Sequence, residues 1–274
     1  MRLREAARGV ASELRAAGIP DPELEAEVLA RNAAAVSRTA YFAGIEANAA
    51  EITTLHALLE RRLGREPSAY ITGSREFYGR DFAVGRGVLV PRPETELLVE
   101  LGLEEVRRAA TDLVVVDVGT GSGAVAVSIA AERPESIVVG IDVSGEAVRT
   151  AARNAGRHAP RTRLAQGDLL SAVGCADVVL ANLPYVPSAE IEALEPEVSR
   201  WEPRVALDGG ADGLDLIRRL VADCDRRVRP SLLALEVGFG QADAVSAELE
   251  RCGRQPWIVK DLAGIDRVVC ARWR

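Results

Sequence analysis

The run Leu113-Val114-Val115-Val116-Asp117-Val118-Gly119-Thr120-Gly121-Ser122-Gly123-Ala124 decides the architecture. Its first half is apolar and β-branched, the composition of a strand buried on both faces. Glycines at alternate positions then end the strand, and Ala124 opens an alanine-rich stretch that reads as a helix over 124–132. Glycine permits the tight turn and lets a ligand come close to the backbone.

The same alternation continues towards the C-terminus. Apolar runs predict strands over 137–142, 177–181 and 232–237, 163–166 reads as a short strand between them, and amphipathic runs predict helices over 144–156, 214–227 and 242–251. The last two strands, 257–260 and 267–271, flank Ala263-Gly264, a connection so short that they must be antiparallel. Continuous apolar strands separated by helices imply an α/β fold, a mostly parallel sheet covered on both faces.

Towards the N-terminus, Pro93 opens a helix over 94–108 with acids in its first turn. Residues 76–84 alternate with a period of two, and Gly85-Arg86-Gly87 is expected to turn them into Val88-Leu89-Val90 as a β-hairpin. The first 65 residues read as helices. Asp21-Pro22-Glu23 predicts a capping residue followed by proline at the first helical position. Ile52, Leu55, Leu58, Leu59 and Leu63 make one apolar face, which needs neighbouring helices to bury it. The expected organisation is a helical domain over 1–75, a hairpin linker over 76–92 and an α/β domain over 93–274.

Composition narrows the chemistry. No apolar run approaches the roughly 20 residues of a membrane span, and the charged start Met1-Arg2-Leu3-Arg4-Glu5 does not read as a signal peptide, so a cytoplasmic protein is expected. Cys175, Cys224, Cys252 and Cys270 are scattered without a C-x-x-C pair, which predicts reduced, mostly buried thiols. His56 and His158 are the only histidines, so a histidine-based metal site or a Ser-His-Asp triad is not expected. A net charge of −7 argues against a broad nucleic-acid surface. Arg61, Arg62 and Arg65 cluster at one helix end, where solvated cations opposite the helix dipole are the expectation.

The candidate site lies where the strands end. Asp142 closes the second strand nineteen residues beyond Gly123, where a carboxylate can accept both hydroxyls of a ribose. Gly119, Gly121 and Ala124 also satisfy the looser pattern G-x-G-x-x-A, so a dinucleotide such as NAD is an open alternative. Asp168, after the third strand, can bind an adenine amino group or simply cap a helix. The fourth strand runs into Asn182-Leu183-Pro184-Tyr185 at the same edge. The Asn182 carboxamide and the Leu183 carbonyl offer two acceptors at one point, which suits a substrate –NH₂. Pro184 stiffens the loop, and Tyr185 can stack on a planar amide or base.

With Gly119-Thr120-Gly121-Ser122-Gly123, Asp142 and Asn182-Leu183-Pro184-Tyr185 in that order, the chain resembles S-adenosylmethionine-dependent methyltransferases that modify planar nitrogens. Tyr70-Ile71-Thr72-Gly73, Glu76-Phe77-Tyr78-Gly79, Leu89-Val90-Pro91-Arg92-Pro93-Glu94-Thr95-Glu96, Glu202-Pro203 with Ala206-Leu207, Gly210-Ala211-Asp212-Gly213-Leu214, and Asp261-Leu262-Ala263-Gly264 with Arg267-Val268-Val269 narrow it further. Together they resemble the HemK-type release factor glutamine methyltransferases, from about residue 67 to 272. The resemblance implies a class I, Rossmann-like sheet of seven strands with an antiparallel C-terminal strand, and a small N-terminal helical bundle. It implies S-adenosyl-L-methionine as cofactor and N5-methylation of the glutamine in the Gly-Gly-Gln loop of class I peptide chain release factors, with the N-terminal helices helping to dock them.

By matching position, Gly119, Thr120, Gly121, Ser122, Gly123 and Asp142 are expected to bind the methionine and ribose parts of the cofactor. Asp168 and Leu169 are expected beside the adenine, Asn182 beside the cofactor, and Asn182, Leu183, Pro184 and Tyr185 around the glutamine amide. The family's usual tetrad is Asn-Pro-Pro-Tyr, so Leu183 is a departure that keeps the carbonyl but loosens the loop. Leu169 stands where an aromatic residue is common. No general base is evident, and the amide proton is expected to leave after transfer. Other readings are an N-methyltransferase of DNA or RNA bases, an NAD-dependent oxidoreductase, and a binding protein that keeps the fold as scaffold.

Overall fold

The structure, a computed structural model, describes residues 1–109 and 113–273. The chain divides into two compact units: Met1–Ser74 with Glu195–Trp201, and Arg75–Leu194 with Glu202–Arg274. Among the described residues no helix is long and apolar enough to cross a membrane.

The first unit holds α1 (Leu3–Ala16), α2 (Pro22–Ala33), α3 (Arg38–Phe42), α4 (Ala49–Leu63) and α5 (Ser68–Thr72). Leu3, Val10, Leu14, Leu29, Leu55 and Leu59 form its core. Asn48 starts α4 with a capping box: its side chain accepts from Glu51 N at 3.0 Å, and the Glu51 carboxylate accepts from Asn48 N at 2.9 Å. Asp21 precedes Pro22 as expected but does not cap α2. It sits in the left-handed region (φ 49°), and its side chain accepts no capping bond.

The arginine cluster is paired with acids, although Arg61 stays exposed. Arg62 is 3% exposed and ion-paired to Glu25 at 3.0 Å and Glu197 at 2.8 Å. Arg61 pairs with Glu66 at 2.7 Å and Arg65 with Glu197 at 2.9 Å. The expectation of free cations is corrected because Glu25 and Glu197, distant in sequence, and Glu66, five residues from Arg61, meet the end of α4 and neutralise it.

In the second unit β1 (Ser74–Phe77) and β2 (Arg80–Ala83) form a hairpin. Its turn is Tyr78-Gly79, not the predicted Gly85-Arg86-Gly87, and Val88-Leu89-Val90 is not a strand. Tyr78 and Gly79 have φ of 48° and 71°, the paired left-handed residues whose twist suits a two-residue hairpin. Asn154 fastens the hairpin by bonding both the amide and the carbonyl of Ala83, at 2.8 and 3.0 Å. The hairpin thus belongs to the second unit.

The elements that follow are α6 (Glu96–Arg108), β3 (Val114–Val118), α7 (Ala124–Glu132), β4 (Ile137–Asp142), α8 (Gly145–His158), β5 (Arg163–Gln166), β6 (Val178–Ala181), α10 (Asp215–Asp223), β7 (Leu232–Glu236), α11 (Ala242–Arg251), β8 (Trp257–Lys260) and β9 (Asp266–Ala271), while α9 (Pro196–Ser199), between β6 and α10, belongs to the first unit. A π-helical turn, Cys224–Val228, ends the helix predicted over 214–227.

The sheet has seven strands in the order β5-β4-β3-β6-β7-β9-β8, with β9 antiparallel to both neighbours. This is the predicted mostly parallel α/β architecture. Adjacent strand residues serve opposite faces, as a sheet covered on both sides requires. Val116, Val179 and Leu233 pack with α10 and α11, and Val115, Val178 and Leu232 with α6 and α7. Chain order reverses between β3 and β6, and that switch point opens a crevice at the carboxyl ends. Register aligns that edge: Val118 pairs with both Ile141 and Ala181, and Ala181 with Leu235. Of the cysteines, Cys224 and Cys270 are buried while Cys175 is exposed.

Candidate active site

Past Val118 the chain turns sharply. The amides of Gly119 and Thr120 both donate to the carbonyl of Ile141, at 2.8 and 2.9 Å, which ties the glycine loop to the end of β4. Gly119 has φ 76°, and a Cβ there would meet Leu183 Cδ2 at 3.1 Å, so a larger residue would push on the tetrad. Beneath the loop, Asp117 is buried and accepts from Thr120 Oγ1 at 2.6 Å and Ala126 N at 3.1 Å. Burial pushes its carboxyl up to about 6. Asn154 also holds the carbonyl of Ser122, at 2.8 Å.

Asp142 faces the loop. Its two oxygens accept one backbone amide each, from Gly121 and Ser144, both at 2.9 Å. Each oxygen keeps a lone pair for a hydroxyl. Burial raises its pKa. Asp168 is exposed and paired with Arg219 at 2.5 Å, while Leu169 is buried in the left-handed region at φ 48°.

These groups surround a cavity of about 370 Å³, within the usual range for small-molecule sites. Gly119, Thr120, Gly121, Ser122, Asp142, Asp168, Leu169, Asn182, Leu183 and Pro184 line it. Two of the predicted residues do not. Gly123 lies behind the wall, where a Cβ would come within 3.1 Å of Ala151 Cβ, so its absent side chain serves helix packing. Tyr185 lies beside Gly238, where a Cβ would reach its ring at 3.1 Å, and its carbonyl accepts from Gln241 at 2.9 Å. Burial, with the Glu236 carboxylate next, pushes its hydroxyl up to about 12, so it stays protonated at neutral pH. The cavity wall ends at Pro184 because the chain turns away there towards Gln241.

The Leu183 side chain is buried in the core. Among the described residues no protein donor falls on its carbonyl. Asn182 Nδ2 donates to Thr95 Oγ1 at 3.0 Å, and Thr95 Oγ1 donates to Glu236 Oε2 at 2.7 Å. Residue-by-residue reading gave Thr95, Glu236 and Asn154 no role. The signal for Thr95 was present in the stretch Pro91-Arg92-Pro93-Glu94-Thr95-Glu96, but its partner could not be read from it.

Comparison with known proteins adds to this geometry. A model described as the PrmC N-terminal domain matches residues 5–73, and one described as the methyltransferase small domain matches residues 94–195. A protein of Geobacter sulfurreducens named release factor glutamine methyltransferase is 41% identical over 261 residues, 93% of this chain and 91% of its own. One of the same name from Rhodospirillum rubrum is 42% identical over 268 residues, 95% of this chain and 82% of its own. The human hMettl16 catalytic domain, solved with a MAT2A 3′UTR hairpin, has a TM-score of 0.59 at 15% identity. That match covers 76% of this chain and 80% of the other, and it bears on the fold alone.

Proposed function

The chain belongs to the release factor glutamine methyltransferases, and from that premise we propose how its residues carry out the reaction. The enzyme is an S-adenosylmethionine-dependent protein-(glutamine-N5) methyltransferase acting on release factor. The residues present fit the cofactor. The glycines remove side chains from the loop, Asp142 keeps acceptor capacity for two hydroxyls, and Leu169 gives an apolar wall. When bound, S-adenosylmethionine supplies a methyl group activated on a sulfonium.

The chain must orient a poor nucleophile. An amide nitrogen shares its lone pair with the carbonyl, and two acceptors drawing on its two hydrogens favour a pyramidal nitrogen with a localised pair. In our reading Asn182 Oδ1 and the Leu183 carbonyl are those acceptors, and Pro184 restricts the loop that presents them. Tyr185, anchored through its carbonyl by Gln241, ends the loop. Gly119–Ser122 and Asp142 hold the methionine and ribose parts, and Asp168 and Leu169 the adenine. The observation that carries this reading is that Asn182 spends its Nδ2 on Thr95 while, among the described residues, Oδ1 has no protein donor, at the rim of the cavity.

The substrate loop is the Gly-Gly-Gln segment of class I release factors, docked with help from the helical unit, and the reaction takes place in the cytoplasm, where these factors serve termination. A base-methylating role is not favoured. The relatives are named for a protein substrate, and Arg61, Arg62 and Arg65 are all paired with acids. The deciding experiment incubates the enzyme with release factor and labelled methyl donor and locates the label by mass spectrometry. Label on that glutamine is expected, and label elsewhere overturns the substrate assignment.

A further inference from the structure

We propose that Thr95 and Glu236 are positioning residues which fix the Asn182 carboxamide with its oxygen towards the substrate. The inference rests on the reading of Asn182 above and deepens it.

Tertiary structure places the three side chains together. Ala181 pairs with Leu235, so Asn182, the first residue past β6, comes beside Glu236, the last residue of β7. Thr95 reaches them from the turn Pro93–Thr95 that opens α6. Thr95 is 5% exposed and Glu236 2%.

Proton counting sets the direction. A threonine hydroxyl has one hydrogen, and a carboxylate only accepts. A buried carboxylate left without a donor is costly, so the Thr95 hydrogen is committed to Glu236. The Thr95 oxygen then has only lone pairs left and must be met by a donor. Asn182 can meet it only with its –NH₂, which sends Oδ1 the other way. Without the relay, the carboxamide could rotate by half a turn and present two hydrogens to a substrate nitrogen that also carries two. Donor would face donor, and the amide would not be held.

Glu236 enforces this order only as a carboxylate. Once protonated, it can donate to Thr95 and free the threonine hydrogen for Asn182 Oδ1. The charged and titratable groups facing it are Arg267, Glu94, Arg92 and Tyr185. Arg92 is itself paired with Glu202 at 2.9 Å, and Arg267 with Asp261 at 3.2 Å.

The test uses the full-length enzyme with S-adenosylmethionine and release factor, comparing T95V, T95S and N182A. T95V keeps the shape and removes the hydroxyl, so kcat of the folded enzyme is expected to fall about 10-fold or more with cofactor affinity nearly unchanged, while the melting temperature falls because Glu236 loses its donor. T95S restores the hydroxyl and is expected to recover most of the loss. Wild-type kcat in T95V, with N182A inactive, overturns the relay alone. Equal losses in T95V and T95S also overturn it, since packing rather than the hydroxyl would then matter. An active N182A instead overturns the reading of Asn182 on which the relay rests.

Discussion

The amide of Gly121 donates to Oδ2 of Asp142 at 2.9 Å, so the glycine loop is bonded to the acid that ends β4. The loop that approaches the cofactor and the carboxylate expected to hold its ribose therefore form one rigid piece. Asp142→Ala removes a bond to the loop as well as a ribose contact. Cofactor affinity should drop about 10- to 100-fold, from the loss of charged hydrogen bonds. Calorimetric titration with S-adenosylmethionine checks this, and unchanged affinity counts against the assignment.

Asn182→Ala deletes the oxygen aimed at the substrate. Turnover should fall roughly 10²–10³-fold, as when a preorganised polar contact to a reacting group is lost. Cofactor affinity should change much less, and single-turnover kinetics with release factor separate the two effects.

Gly119→Ala puts a Cβ 3.1 Å from Leu183 Cδ2 at a φ of 76°. The left-handed backbone alone costs about 1–2 kcal/mol for a residue with a Cβ. The contact with Leu183 should also shift the tetrad. A lower melting temperature together with reduced turnover is expected, and a variant that matches wild type in both would remove Gly119 from this role.

Two buried acids make stability depend on pH. Burial pushes Asp117 up to about 6 and Glu236 up to about 7, both above their unfolded values near 4. Raised acids contribute stability that is complete below the unfolded pKa and is lost as pH rises through the folded one. From pH 4.5 to 7 the stability advantage of wild type over Glu236→Gln should therefore shrink, by at most about 3 kcal/mol. Over the range around pH 7, wild-type kcat should rise as Glu236 ionises and locks Thr95, while Glu236→Gln should lose that limb. Denaturant unfolding and a kcat–pH profile measure the two trends, and parallel profiles for both proteins would refute the linkage.

In the helical unit, Arg62→Ala would strand Glu25 and Glu197, the acids that the buried guanidinium holds. Removing one partner of a buried ion pair typically costs about 3–5 kcal/mol. Arg65 still faces Glu197, which places the expectation at the lower end. Urea unfolding followed by helical circular dichroism checks it.

Much of the fold was legible in the sequence because it rests on local patterns. The apolar run of β4 and the apolar face of α4 matched the structure from first residue to last. Periodicity and burial there follow the same rule. The hairpin turn was misplaced because Gly85-Arg86-Gly87 is the richer glycine signal. The chain instead turns at Tyr78-Gly79, where the Tyr78 amide donates to the Glu96 carboxylate at 2.9 Å, a partner eighteen residues away.

The cavity's outline was legible too, since each strand end delivers a loop to the same edge. Which side chains face inward was not. Gly123 serves the packing of α7 on α8, and Tyr185 lies beside Gly238, because neighbours distant in sequence occupy the space around them. Thr95 is 87 residues from Asn182 and 141 from Glu236. Local preference sets where an element begins and which face is apolar. Only the pairing of β6 with β7, and the turn into α6, could bring those three side chains together, because a hydrogen bond depends on distances that a linear pattern does not contain.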